Sequence, residues 1–271
     1  MSKLRTVAAA LAAAAALTLS ACATSAPAPA QTGSSNEPTF IAGGKLTVCT
    51  HLAFKPFQFK DDTGAIVGFD VDLMDLVAED LGRTQEIVDI AFDQVWSGAA
   101  FAAGKCDAGA AAISITDARK KSTTFADPYF ESTLALMVKT GSGIKGLEDL
   151  RGKTVAVQTD TTGATFAEQK ASEYGFETKV FDDMPTASSS VLGTGADATI
   201  NDNGVLLSFA NDNPSVTVAT EFADTGEWYG FNVSNDNKPL ADEISRVLRE
   251  SKADGRFNEI YKKWFGVDAP K

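Results

Sequence analysis

The chain of 271 residues contains a single histidine, His51. That scarcity removes histidine-based catalytic triads, and metal sites built from several imidazoles, from consideration. Basic residues are also in short supply: 24 Lys+Arg stand against 36 Asp+Glu, a net charge of −12. Nucleic acid and anionic membrane surfaces repel a polyanion, so no nucleic-acid partner is expected. The longest mostly apolar run, Val7–Leu19, has 13 residues, whereas crossing a bilayer as a helix takes about 20. Asp182-Asp183 and Asn201-Asp202-Asn203 are acidic or amide-rich but lack the alternating spacing, turn glycine and closing glutamate of an EF-hand. No metal and no cofactor are expected. What is present, 44% hydrophobic and 22% charged residues, excludes a disordered chain. The length fits one two-lobed domain or two small ones.

Residues 1–21 read as an export signal outside the fold. Lys3 and Arg5 precede the apolar run, and Leu19-Ser20-Ala21-Cys22 matches the bacterial lipobox, in which the cysteine is acylated after cleavage. Cleavage would remove Lys3 and Arg5 with no acid, taking the net charge from −12 to −14. Lipid on Cys22 would anchor the protein to the outer face of the cytoplasmic membrane without spanning it. Residues 22–41 are rich in Ala, Pro, Ser, Thr and Gly without apolar period and read as a flexible tether. The remaining cysteines, Cys49 and Cys106, form an even pair in an exported chain, which suggests one disulfide; two buried thiols are the alternative. A bridge requires the strand ending at Thr50 and the strand expected over Cys106–Ile115 to be neighbours.

From Gly43 onward strands and helices alternate, which argues for α/β with mostly parallel sheets. Leu73, Val77 and Leu81 recur at helical spacing in a helix expected over Phe69–Gly82, with Asp70 as its cap. Strands are expected at Thr154–Val157, Asp197–Ile200 and Ser215–Val218, and helices near Ala164–Tyr174 and Ala241–Ser251. Phe257, Ile260, Tyr261 and Trp264 fall at i, i+3, i+4 and i+7 of a helix stopped at Gly266. The segment from Thr186 to Gly195 should be a helix by position, though its serine run and Gly193 give it poor propensity.

Several segments resemble, in order, the bacterial extracellular solute-binding proteins of family 3. They are Leu46–Thr50, Pro56-Phe57, Gly68–Leu73, Ser114–Arg119, Phe125–Tyr129, Gly152–Gln158, Thr161–Gly163 and Tyr261–Gly266. The resemblance implies a two-lobed periplasmic-binding-protein-like fold of type II, with two mainly parallel sheets joined by two hinge strands. Lobe one would take residues 42–136, lobe two 137–231, and residues 232–271 would return to lobe one. Crossings are expected near Leu134–Val138 and Tyr229–Val233. It also implies a monomeric receptor that closes on a free amino acid, polar or neutral, and hands it to the permease subunits of an ABC importer. A ligand-sensing module for a signalling partner is the alternative; a dehydratase or peptidoglycan lyase on the same fold is a third, disfavoured because no glutamate lies beside the binding motifs.

A free amino acid carries two charges that must be paired when it leaves water. Arg119 offers a guanidinium fork to a carboxylate from just beyond a strand end, where α/β sheets bind ligands. Thr162, at the start of a helix, adds a hydroxyl near free backbone N–H groups. The resemblance assigns Asp202 to the ammonium, Ser114 and Thr116 to further polar contacts, and Phe54 and Phe92 to the walls. Ala112 stands where the family often has glycine, and His51 where many members have an acid. The second departure weakens the expectation of a cationic side chain.

Overall fold

The computed structural model describes residues 37–52 and 54–270. The expected export signal, Cys22 and most of the tether lie outside those residues. The chain runs through β1 (Lys45–Thr50), β2 (Phe59–Lys60), β3 (Ile66–Val67), α1 (Phe69–Asp80), β4 (Thr84–Asp89), α2 (Phe92–Trp96), α3 (Ala99–Ala102), β5 (Ala108–Gly109) and β6 (Thr124–Phe125). It continues through β7 (Phe130–Lys139), β8 (Thr154–Gln158), α4 (Thr162–Tyr174), β9 (Glu177–Phe181), α5 (Met184–Leu192), β10 (Ala198–Asp202), α6 (Asn203–Asp212) and β11 (Val216–Tyr229). The last elements are β12 (Asn232–Val233), α7 (Lys238–Asp254) and α8 (Arg256–Phe265).

Two five-stranded sheets, ordered β4-β1-β5-β12-β6 and β11-β7-β10-β8-β9, organise the two lobes. Each has a parallel core, β4-β1-β5 in the first and β10-β8-β9 in the second. These are the strands that alternate with helices in sequence. Antiparallel strands extend each core: β12 and β6 in the first, β7 and β11 in the second. The chain passes between sheets after β6 and again after β11, and the two passages bond to each other. Ala126 N–H donates to the Phe231 carbonyl (2.9 Å) and Tyr129 N–H to that of Tyr229 (3.0 Å).

The first passage lies upstream of Leu134–Val138. Those residues sit mid-strand in β7, paired with β10 on one side and β11 on the other, because the long strand already begins at Phe130. Lobe one therefore ends before Phe130 and not at residue 136. The fold also begins earlier than residue 42: Thr39 exchanges hydrogen bonds with Asn237, and Ile41 N–H donates to Asp107 (2.7 Å). Of the strand expected over Cys106–Ile115 only Ala108–Gly109 is regular. It is nonetheless the neighbour of β1, and Cys49 and Cys106 are disulfide-bonded with Cα atoms 5.6 Å apart.

The helices follow their sequence signals with two exceptions. α7 opens with Pro239 in its first turn and closes at Gly255 with positive φ, burying Leu240, Ile244, Val247, Leu248 and Ser251 on one face. α5 forms despite its serines, because Asp183 caps it by accepting from Thr186 N–H (2.8 Å) and Thr186 Oγ1 (2.9 Å), while Met184, Ala187 and Val191 are buried. Asp70, expected to cap α1, does not. The helix starts after Gly68, whose φ of 148° favours glycine and where a Cβ would fall 1.9 Å from the Phe57 carbonyl oxygen. Asp70 lies one residue inside, fully buried, accepting from Tyr129 Oη (2.7 Å) and Ala112 N–H (2.8 Å). The aromatic residues Phe57, Phe69, Phe130, Tyr229, Tyr261 and Phe265 pack ring against ring beside the two passages.

Candidate functional site

A cavity opens where the C-terminal ends of the parallel strands of both sheets face each other. From the first sheet come His51, just after β1; Phe54 and Gln58, in the following turn; Phe92, at the start of α2; and Ala111, Ala112, Ser114 and Arg119, after β5. The second contributes Gln158 from the end of β8, Thr161 and Thr162 from the start of α4, and Asp202 from the end of β10. Eight of the nine residues expected to meet a ligand thus line one cavity. The exception is Thr116, whose hydroxyl accepts from Arg119 N–H (3.2 Å) and caps that residue's turn; it lies in a neighbouring depression.

Arg119 is 5% exposed and spans the cleft. Its Nη1 donates to the Ser114 carbonyl (3.0 Å) and its Nη2 to the Asp160 carbonyl on the opposite side (3.0 Å). The guanidinium carbon is 5.2 Å from the Phe92 ring centre and 5.5 Å from that of Trp96. Burial pulls the Arg119 pKa below its usual value, against the pull of Glu227, Asp202 and Asp160. Asp160 and Ala112, one on each side, are the non-glycine residues with positive φ (60° and 47°) among those described. Such geometry costs about 1–2 kcal/mol for an alanine, which explains why glycine suits that position. Asp70 holds it in place through the Ala112 N–H.

Asp202 is fully buried, accepts from Tyr229 Oη (2.6 Å), and is pushed up to about 7 by burial, with Glu227 adding repulsion. Glu227 went unnoticed in the sequence. One of its oxygens, Oε2, accepts from Ser114 Oγ (2.6 Å) on the first side and from Thr162 Oγ1 (2.9 Å) on the second. A glutamate does therefore lie beside the motifs, contrary to the sequence reading. Both hydroxyls converge on that one oxygen, which ties the side chain to the two sides of the cleft. Thr161 caps α4 by accepting from Ala164 N–H (3.0 Å), so capping falls to Thr161 and leaves the Thr162 hydroxyl for the cleft.

Three acceptors on the lining residues are buried without a partner: His51 Nε2, Gln58 Oε1 and Gln158 Oε1. Their orientations are fixed by carbonyls. His51 Nδ1 lies 3.0 Å from the Ile90 oxygen and so carries a hydrogen, the tautomer in which Nε2 is the acceptor. Gln58 Nε2 faces the His51 carbonyl (3.3 Å) and Gln158 Nε2 that of Asp182 (3.5 Å); flipping either amide would set oxygen against oxygen. Gln58 and Gln158 were also missed, the first because it sits in an irregular turn and the second because a strand-end glutamine has many structural uses. Lys55 and Asp212 form a 2.7 Å ion pair in a separate depression lined by residues of both lobes. Among the described residues no group of three or more His, Cys, Asp or Glu is placed to hold a metal ion.

The buried acids make stability depend on pH. Asp70, like Asp202, is raised to about 7 by burial, whereas an unfolded aspartate titrates near 3.8. Between those values the folded chain holds protons that the unfolded chain has released, so their contribution is full below about pH 4 and is lost as pH rises through 7. The ligand-free protein should melt at a lower temperature at pH 8 than at pH 5.5, and Asp70→Asn should shrink the difference. Equal melting temperatures in wild type and variant across that range would contradict the assignment.

The family model of bacterial extracellular solute-binding proteins, family 3, matches residues 46–267. The glutamine-binding protein GlnH of a Bacillus subtilis (strain 168) ABC transporter is 35% identical over 211 residues, 76% of this chain and 75% of its own. The structure of an ancestral arginine-binding protein bound to arginine superposes with a TM-score of 0.77 at 40% identity, covering 82% of this chain and 98% of its own. An ancestral amino acid-binding protein, a precursor of cyclohexadienyl dehydratase, matches with a TM-score of 0.73 at 32% identity, covering 82% and 96%. With its two α/β lobes, its strand-end cavity and a family match over nearly all of the described chain, this protein belongs to the bacterial extracellular solute-binding proteins of family 3.

Proposed function

We propose that the protein captures a free amino acid between its lobes and delivers it, unchanged, to the permease of an ABC importer. The observation that carries this reading is the pairing of a buried guanidinium, Arg119, with a buried carboxylate, Asp202, on the walls of one cavity. Arg119, Ser114 and Thr162 suit an α-carboxylate, and Asp202 an α-ammonium. Phe54, Phe92 and Ala112 wall the side chain. The glutamine- and arginine-binding relatives support an amino acid as the ligand class. The partnerless acceptors of His51, Gln58 and Gln158 favour a side chain that donates hydrogen bonds, an amide or a cation, over an acidic or aliphatic one. This widens the expected polar or neutral class to include cations.

Export under the signal of residues 1–21 and a lipid on Cys22 would hold the receptor, as a monomer, beside its permease. A cleft enzyme would need an acid free to pass its proton to the substrate; Glu227 is tied to Ser114 and Thr162, and Asp202 is tied to Tyr229 and matched to an ammonium, which favours binding over turnover.

The test is thermal unfolding of the protein, refolded to strip carried ligand, against the twenty amino acids. A ligand at 100 times its dissociation constant adds about 2.7 kcal/mol, or roughly 5–10 °C for a domain of this size. No shift with any amino acid would refute the reading. Because Asp202 must lose its proton to meet an ammonium, calorimetry at pH 6 in buffers of differing ionisation enthalpy should register proton release on binding.

A further inference from the structure

Ser114 and Thr162 belong to opposite lobes, and their hydroxyls meet on a single oxygen of Glu227. Both are donors that the proposed function gives to the ligand's carboxylate, and the charge nearest in influence to the Arg119 guanidinium is again Glu227. The chain has thus set a carboxylate of its own among the donors meant for a carboxylate. Its origin is specific. Glu227 projects from the end of β11 before the chain returns to the first sheet, two residues ahead of Tyr229, which serves Asp202. One side chain at the passage between lobes can therefore reach donors in both.

We propose that Glu227 is an internal stand-in for the ligand's carboxylate: it holds the empty cleft closed and must surrender Ser114 and Thr162 before a ligand can enter, which makes it a determinant of what is admitted. This rests on the proposed function for the identity of the ligand, but not for the closure of the empty protein. The chemistry of selection follows. Exchanging one carboxylate for another on the same donors gains almost nothing, because two hydrogen bonds break and two form. A ligand profits through what Glu227 does not supply: a carboxylate set against the Arg119 fork, which Glu227 does not bond, an ammonium for Asp202, and donors for Gln58, Gln158 and His51. A 2-keto acid of the same carbon skeleton keeps the carboxylate and the side chain but lacks the ammonium for Asp202, so it binds far more weakly. The energy that keeps the empty cleft shut is subtracted from every ligand's affinity, since a ligand can shift an equilibrium only by its differential contacts.

The experiment pairs small-angle scattering with calorimetry on wild type, Glu227→Ala and the shape-conserving Glu227→Gln. Ligand-free wild type should match its ligand-bound radius of gyration closely, whereas ligand-free Glu227→Ala should be measurably larger and contract on binding. Glu227→Ala should bind the amino acid about 10-fold more tightly, and the corresponding 2-keto acid should gain detectable binding. Glu227→Gln, whose carbonyl oxygen can still accept from both hydroxyls but without charge, should fall between. An unchanged scattering profile in Glu227→Ala overturns the proposal, as does affinity that fails to rise. If no amino acid binds wild type, the function reading fails separately, and the scattering of the ligand-free proteins alone decides whether Glu227 holds the cleft.

Discussion

Replacing Arg119 with alanine is expected to weaken amino-acid binding by roughly 30-fold to several thousand-fold, the range found when one member of a buried charge pair is removed. The loss has two sources. The ligand carboxylate would enter a dry cavity with no cation to meet it, and the remaining protein charges there, Asp202 and Glu227, are both acidic. Arg119 also joins the lobes by itself, through the Ser114 carbonyl on one side and that of Asp160 on the other. Arg119→Lys should recover little of the affinity. An ammonium cannot make two parallel bonds to a carboxylate, nor match a planar guanidinium beside the Phe92 and Trp96 rings. Calorimetry with whichever amino acid stabilises the wild type provides the measurement. Affinity of Arg119→Ala within threefold of wild type would remove the carboxylate assignment.

Loss of the Cys49–Cys106 disulfide should cost about 4 kcal/mol in stability, because it closes a long loop in the unfolded chain. The cysteines lie 57 positions apart in sequence. At roughly 2–4 °C per kcal/mol, Cys49→Ala/Cys106→Ala should melt about 8–16 °C below wild type. Part of the effect should appear in binding as well. Cys49 is two residues before His51, and Cys106 leads through the short β5 to Ala111, Ala112 and Ser114, so the bridge ties together two segments that line the cavity. Irregular backbone with only a two-residue strand to hold it is what such a tie would immobilise. Scanning calorimetry of the variant, and of wild type with reductant after mass analysis confirms free thiols, measures the effect. A melting temperature lowered by less than about 2 °C would show that the sheet pairing of β1 and β5 suffices without the bridge.

The architecture was legible because it is written in local periodicity. The alternation of strands and helices, the apolar spacing of α8 and the glycine stops at Gly255 and Gly266 all follow from near neighbours in sequence. Arg119, Ser114, Thr162 and Asp202 were legible through ordered motifs at strand ends. What escaped notice depended on distant contacts. Asp70 stands where a helix cap belongs, and only the fold reveals that Tyr129 and Ala112 claim its oxygens. A strand was expected over Ser215–Val218, but β11 runs on to Tyr229 through two register shifts against β7, between Val218 and Thr220 and between Phe222 and Glu227. The strand survives both irregularities; at the second, Thr225 Oγ1 accepts from Leu134 N–H (2.8 Å). Missing that extension hid Glu227, the residue on which the ligand-free cleft turns.

Tyr229 ends that same strand, and its two halves serve different masters. The hydroxyl donates to Asp202, while the ring lies edge-on to Phe57 and stacked on Phe130, at the root of both connections between the lobes. Phe57 in turn touches Gly204 at the head of α6, where a methyl group in place of hydrogen would sit 3.5 Å from its ring. Aromatic rings at van der Waals distance do not compress, so in the proposed closure this stack would serve as a fulcrum that lets one lobe tilt over the other rather than slide. The lever attached to that fulcrum ends on the carboxylate assigned to the ligand's ammonium. Any change of charge or partner at Asp202 thereby bears, through one rigid side chain, on the ring packing at the root of both connections between the lobes.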